Sequence, residues 1–478
     1  MVVLAFLLAC ADSEPTTLPG VDAPLTISLV NPTSCSFCDP FAGVDTLRVD
    51  VLVDWAVVAS EAYRYPDEEV VLPALTDFGV VRVQLVGLAG GEVRSVGRTQ
   101  EIALQPEVAL TVPMLFLPAN TTIPLTATMT ADRSRHTAIR RRDGSVVLLG
   151  GVNPDRNGTF ASTERFDPAT WSFSVFDGGS LPAGVGGSRT AYAGTDEWLL
   201  LGGFVTGPNG DVASSTAGVL SEVDGTVRPG PSLLTPRNGH CFAMYRERLG
   251  IVFGGTADTN AAELLKLSDA TGDWELVNVP MRDFDQTLVS ACVALPDQSV
   301  FVNGDTAAAT GRWSYAEGDT DAGEGFVPVE ALGEGADRYV DGPLLEVVGD
   351  RVWIAGGADP YTGSAIDGAR WFDPAQNGFL PAVALGAARF DPSFDRWINP
   401  GWLVVGGGWS TTDRTRAEAS VELVNPETEA RGPVVSFERD RPGAVLTTLL
   451  DGAVLITGGY DAGDDGVIDA AVFLPWVE

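Results

Sequence analysis

Metal and nucleophile chemistry has few residues to work with in this chain. Its 478 residues include two histidines, His136 and His240, and five cysteines. The histidines open similar stretches, Arg135-His136-Thr137 and Gly239-His240-Cys241, far apart in sequence. Cys35 and Cys38 form Cys-Ser-Phe-Cys with no second cysteine pair close by. A zinc site there lacks ligands, and a local disulfide is the expectation in an oxidising compartment. For Cys241 and Cys292, 51 residues apart, a disulfide and two buried thiols fit equally. The loop from Asp461 to Asp469 places Asp461, Asp465 and Asp469 at positions one, five and nine of a calcium-loop spacing, with Gly466 at six. Gly463 and Val472 stand where further acids belong, so a solvated acidic loop is the first expectation and Ca2+ binding the alternative. The chain has no Gly-x-Ser-x-Gly elbow, P-loop or dinucleotide fingerprint. Its 64 acidic residues give too many carboxylates to single out a catalytic pair.

The elements that would position such residues are written in the composition. A hydrophobic share of 45% with 55 glycines and 31 prolines points to a turn-rich, all-β chain. A formal charge of −34 excludes the basic surface that nucleic acid requires, and gives no electrostatic grip on anionic lipid. The N-terminus carries an apolar run, Val2 to Leu8, followed by Leu7-Leu8-Ala9-Cys10. The run is too short to span a bilayer. It resembles the lipobox of bacterial lipoprotein signal peptides, although no basic residue precedes it. The resemblance implies that residues 1–9 are removed, that Cys10 is lipidated, and that residues 10–24 form a polar tether. Ala11, in place of Asp, implies the bacterial outer membrane or cell surface, with the lipid as the protein's sole membrane attachment.

The strongest pattern is a repeat of about fifty residues. Glycine pairs recur at Gly150-Gly151, Gly202-Gly203, Gly254-Gly255, Gly356-Gly357, Gly407-Gly408 and Gly458-Gly459, with Asn303-Gly304 in the remaining place. Each pair ends an apolar run, such as Val146-Val-Leu-Leu or Val454-Leu-Ile-Thr, that reads as a buried strand. Another strand precedes it across a tight turn such as Arg142-Asp-Gly. A polar loop, a third strand and an Asp-Pro or Asn-Pro turn follow, as in Phe166-Asp-Pro and Val424-Asn-Pro, and then a fourth strand.

Four strands per repeat with Gly-Gly after the second resemble the kelch family of propellers. The resemblance covers residues 117–478 and implies a seven-bladed β-propeller. The last repeat stops where its fourth strand should begin, so a strand near 121–126 is expected to close the ring by pairing near Ile468 to Leu474. Some kelch-like propellers are enzymes. Galactose oxidase, which also has seven blades, needs two histidines and two tyrosines around copper. His136 and His240 lie two repeats apart, where kelch repeats often carry a structural histidine, so copper is not expected.

Residues 25–116 lack the repeat but show period-two strands, Leu47-Val49-Val51-Val53 and Val81-Val83-Leu85 among them. They suit an immunoglobulin-like or fibronectin-like β-sandwich, acting as a spacer or as a second binding module. The expected function is non-enzymatic: a monomeric, surface-anchored binding or scaffold module for a protein or glycan. Tyr361, Trp409 and Tyr460, in loops after glycine pairs, are candidate contacts. The competing reading is a carbohydrate-active lyase, hydrolase or mutarotase. It requires arginine, acid and aromatic groups converging in the channel.

Overall fold

Short apolar runs bounded by turn residues become strands throughout. The computed structural model describes residues 2–3, 25–33, 35, 38–72, 79–104, 110–153, 158–207, 210–256, 261–281, 285–286, 289–304, 306, 309–314, 325–329, 340–413, 416–437, 441–459 and 470–477. Seven antiparallel sheets follow the glycine-pair repeat. The first blade is Thr137–Arg140, Val146–Leu149, Thr163–Asp167 and Ser172–Val175, paired in that order. The second strands, such as Val454–Thr457 and Val146–Leu149, are buried along their whole length, as sheets covered on both faces require. First strands of neighbouring blades touch, for example Val445–Thr448 against Thr137–Arg140, so they form the inner ring. Blade two carries an added hairpin, Phe204–Gly207 with Gly210–Ala213.

The seventh blade takes its outer strand from ahead of the first. Thr122–Pro124 pairs antiparallel with Ala471–Phe473, Ile123 opposite Val472. A ring closed this way leaves no unpaired edge at its single joint.

Glycine pairs mark the blade-to-blade contact. The Gly151 amide donates to the Val185 carbonyl of the next blade, Gly203 to Arg237, Gly357 to Arg389, and Gly459 to Arg133 across the closure. At Gly458, φ is +62° and a Cβ would lie 2.0 Å from the Arg133 carbonyl oxygen, so no side chain fits. Blade four departs with Asn303, and its side chain makes the equivalent bond, Nδ2 donating to the Val340 carbonyl at 2.9 Å.

Ahead of the propeller lies a sheet in the order Leu25–Val30, Leu110–Pro118, Glu92–Arg98, Val80–Ala89, Thr46–Val53, Ala56–Arg64, with Ile102–Ala103 beside Val80–Ala89. The first pair is parallel and the rest antiparallel. These strands hydrogen-bond in one continuous path, where an immunoglobulin-like sandwich was expected to divide them into two facing sheets. One face buries Ile27, Leu47, Val49, Val51, Val83 and Met114 in a core of its own. The other contributes Val96, Leu115 and Leu117 to a cluster with Ile123, Leu148, Phe166 and Leu455 of the ring. The chain passes from Leu110–Pro118 to the ring-closing strand through the turn at Ala119 and Asn120, without a linker.

Candidate functional site

The inner strands begin around a funnel of about 540 Å³. Its wall includes Arg135, Ser188, Arg189, Asn238, Ser290, Asp341, Asp391, Ser393, Phe394 and Ala444, drawn from all seven blades. Loops after the glycine pairs surround the same end, because they join the end of each second strand to the third. Arg189 donates through Nε to the His240 carbonyl. Arg135 lies 4.4 Å from the centre of the Phe204 ring, with Nη1 3.9 Å from Asp211 of the added hairpin. Phe394 is 36% exposed on the channel wall. Arginine, acid and aromatic groups therefore share one cavity.

The sequence-selected aromatics divide. Tyr361 is 85% exposed. Trp409 is only 7% exposed and packs with Phe390, Ala358 and Ala365, so it shapes the loop and offers no free ring face. Tyr460, the proposed Ca2+ residues Asp461, Asp465 and Asp469, and Cys10 lie outside the described residues. Cys35 is disulfide-bonded to Cys38, and Cys241 to Cys292 with Cα atoms 5.6 Å apart. The second bond joins the inner strands of blades three and four.

Both histidines are buried at starts of inner strands. His136 Nε2 is 2.8 Å from Thr457 Oγ1, and His240 Nε2 3.1 Å from the Leu201 carbonyl. Burial first, and nearby arginines second, push both imidazoles down to about 3, so they are neutral near pH 7. They belong to blades one and three and hold neighbouring blades. No group of three or more potential metal ligands occurs among the described residues.

Sequence reasoning missed three buried ion pairs. Arg133 meets Glu164, Arg237 meets Glu263 and Arg389 meets Glu422, all almost fully buried. Each arginine also donates to the first carbonyl of a glycine pair: Gly150, Gly254 and Gly407. Each glutamate accepts two backbone amides, as Glu263 does from Leu234 and Thr235. A glutamate inside an apolar strand, as in Ala262-Glu263-Leu264 and Val421-Glu422-Leu423, was the available signal.

A second polar concentration joins the N-terminal sheet to the ring. Asp50 accepts from Ser60 and Gln84, and Gln84 accepts from Arg98 Nε at 2.7 Å. Arg98 also donates to the Pro475 carbonyl and lies against Trp397 and Trp476. Arg82 donates to the Leu450 carbonyl at 2.7 Å and covers Trp55. Burial raises Asp451 to about 6, against the attraction of Arg98 and Arg82. Leu450 and Trp397 lie at the turns that end inner strands, opposite the funnel.

Comparison with known proteins gives fold only. No family model matches the chain, and no curated protein matches it. A solved structure of a fungal alcohol oxidase of the AA5 family, in complex with copper, is similar over 75% of this chain and 76% of that one. The TM-score is 0.57 and the identity 14%. The copper belongs to that protein. Here the two histidines are neutral, buried and two blades apart, and do not fit such a centre. The chain is an all-β protein with a seven-bladed propeller.

Proposed function

We propose that the propeller is a non-enzymatic binding module that takes a protein or glycan at its funnel face. The observation that carries this is the funnel itself, lined by residues of all seven blades. The N-terminal sheet supports the reading, because it packs at the opposite end of the ring, where Arg82 and Arg98 reach the Leu450 and Pro475 carbonyls. We read the blades as kelch-type from their glycine pairs and Asp-Pro turns. We read residues 25–116 as a module of immunoglobulin-like origin whose role is to seat the ring. Leu7-Leu8-Ala9-Cys10 is read as a lipobox, placing a lipid-anchored protein at a bacterial outer membrane or cell surface. An anchor at that end would turn the funnel outward.

The test is a glycan array and a cell-surface pull-down with the full chain, beside the variants Arg189→Gln and Asp391→Gly. The reading expects a retained partner that both variants lose. A partner retained equally by both would move recognition away from the funnel and overturn it. The carbohydrate-enzyme reading keeps one specific support, the convergence of Arg189, Asp341, Asp391 and Phe394 in one cavity. Turnover of any array sugar, lost in Asp391→Gly, would favour it.

A further inference from the structure

Five Asn-Gly pairs occur in the chain, at Asn157, Asn209, Asn238, Asn303 and Asn377. An asparagine followed by glycine can react with its own backbone. The amide nitrogen of the next residue attacks the side-chain carbon Cγ, and a missing Cβ at that residue leaves the approach open. The attack needs a nitrogen whose proton no acceptor holds, and a carboxamide free to turn. Asn157 and Asn209 lie outside the described residues. The other three pairs meet these needs differently.

Asn303 is fully buried, and its Nδ2 donates to the Val340 carbonyl at 2.9 Å and to Ser290 Oγ. The Gly304 amide donates to Thr310 Oγ1 at 3.1 Å. Asn377 Nδ2 donates to the Pro328 carbonyl at 2.9 Å, and Gly378 is held in strand register opposite Asp373. Asn238 is exposed on the funnel wall. Neither its carboxamide nor the Gly239 amide has a hydrogen-bond partner among the described residues. A Cβ placed on Gly239 would meet nothing within 4 Å, so a ring has room to close there.

The fold also has a place for the product. Blade five carries Asp341-Gly342 where blade three carries Asn238-Gly239. The Asn238 amide donates to the Gly255 carbonyl at 2.9 Å, and the Asp341 amide to the Ala358 carbonyl at 3.0 Å. Gly239 and Gly342 share a left-handed backbone, with φ of 73° and 56°. A carboxylate is therefore already built into this position of the ring.

We infer that Asn238 is a site of spontaneous deamidation, which adds a carboxylate to the funnel. The Gly239 nitrogen bonds to Cγ, the Cγ–Nδ2 bond breaks, and ammonia leaves with the proton from Gly239. Water then opens the resulting succinimide. Cleavage between nitrogen and Cγ gives aspartate, and cleavage at the α-carbonyl gives isoaspartate. Arg189 of blade two lines the same cavity and reaches the His240 carbonyl, two residues beyond Asn238. The new charge falls on the wall that carries this guanidinium and weakens its field. The reaction needs no ligand; its effect on recognition rests on the funnel being the binding face.

Peptide mapping by mass spectrometry of the folded full chain, incubated in mildly alkaline buffer, tests it. Asn238 should convert at least about tenfold faster than Asn303 and Asn377, which must wait for local opening. In denaturant the three should convert at similar rates, because glycine follows each. Conversion of Asn238 should speed up with rising pH, as the attacking nitrogen loses its proton. Asn238→Asp should keep the melting temperature of the parent, as blade five's aspartate implies. Equal conversion of all three in the folded chain, or an Asn238 as slow as Asn303, overturns the proposal. A melting temperature of Asn238→Asp well below the parent's overturns the tolerance for the product. If Asn238 converts while no partner is retained at the funnel, the modification stands and the binding reading falls.

Discussion

Between blades, polar contact is dominated by one repeated backbone bond. Between the N-terminal sheet and the ring, it is made by individual side chains. The inter-blade joints repeat one bond, from a glycine amide to a neighbouring carbonyl, and back it with buried Arg-Glu pairs in three blades. The sheet-to-ring joint uses Trp55, Arg82, Arg98, Trp397 and Asp451 once each. A repeated backbone joint tolerates drift in surface residues. A joint of single side chains depends on each of them.

The largest expected effect is on the repeated joint. Arg237 and Glu263 have no solvent exposure. Arg237→Met leaves the carboxylate with backbone partners alone, and a buried charge stripped of its partner costs about 3–5 kcal/mol. Denaturant unfolding should show that loss. A cost no greater than that of an exposed arginine such as Arg248 would break the contrast between the joints. Next comes the Cys241–Cys292 bond. Replacing both cysteines by serine should cost about 2–4 kcal/mol for a loop of this length. A melting curve unchanged by reductant in the parent would show that the bond contributes nothing.

The pH response separates the joints by sign. The histidines of the ring have folded values near 3, well below the ordinary 6.5. Their contribution is present above pH 6.5 and is lost as pH falls toward 3. Between pH 7 and 5 each should remove about 2 kcal/mol. Asp451 of the other joint has a folded value near 6, raised from 3.8. Its contribution is present below pH 4 and is lost as pH rises through 6, so acidification to pH 5 returns about 1 kcal/mol. The chain should lose stability on acidification overall. Asp451→Asn should lose more than the parent over that interval. Parallel pH profiles for the two would remove Asp451 from the account.

The same contrast explains what the sequence disclosed. Glycine pairs are legible because their left-handed backbone disfavours other residues, and six copies with one Asn-Gly fix the register. The closing strand expected near 121–126 is present, Thr122–Pro124 pairing with Ala471–Phe473. Asn303 stands in the place of a glycine, and its side chain makes the bond of a backbone amide. The polar chain from Asp50 through Gln84 to Arg98 was illegible, because three scattered residues have no spacing in common. Trp409 misled for a related reason: an aromatic in a loop reads as exposed, and Phe390, which covers it, lies on a different segment.

The smallest effect concerns the tip of the Asp54-Trp55 turn. Both residues have positive φ, 46° and 67°, in a two-residue hairpin where glycine is favoured second. On the turn alone, Trp55→Gly should stabilise by about 1 kcal/mol. Yet Trp55 lies 6.5 Å from Trp397 of the ring, and Arg82 stacks 5.0 Å from its centre. Loss of that cation–π contact costs about 1 kcal/mol. The two nearly cancel, so the single change is uninformative and the coupling carries the test. In a double-mutant cycle with Arg82→Gln, a tip that belongs to the joint shows a coupling of about 0.5–1 kcal/mol. No coupling would mean that the strained tryptophan serves the turn alone, and that the joint rests on Arg98 and its tryptophans.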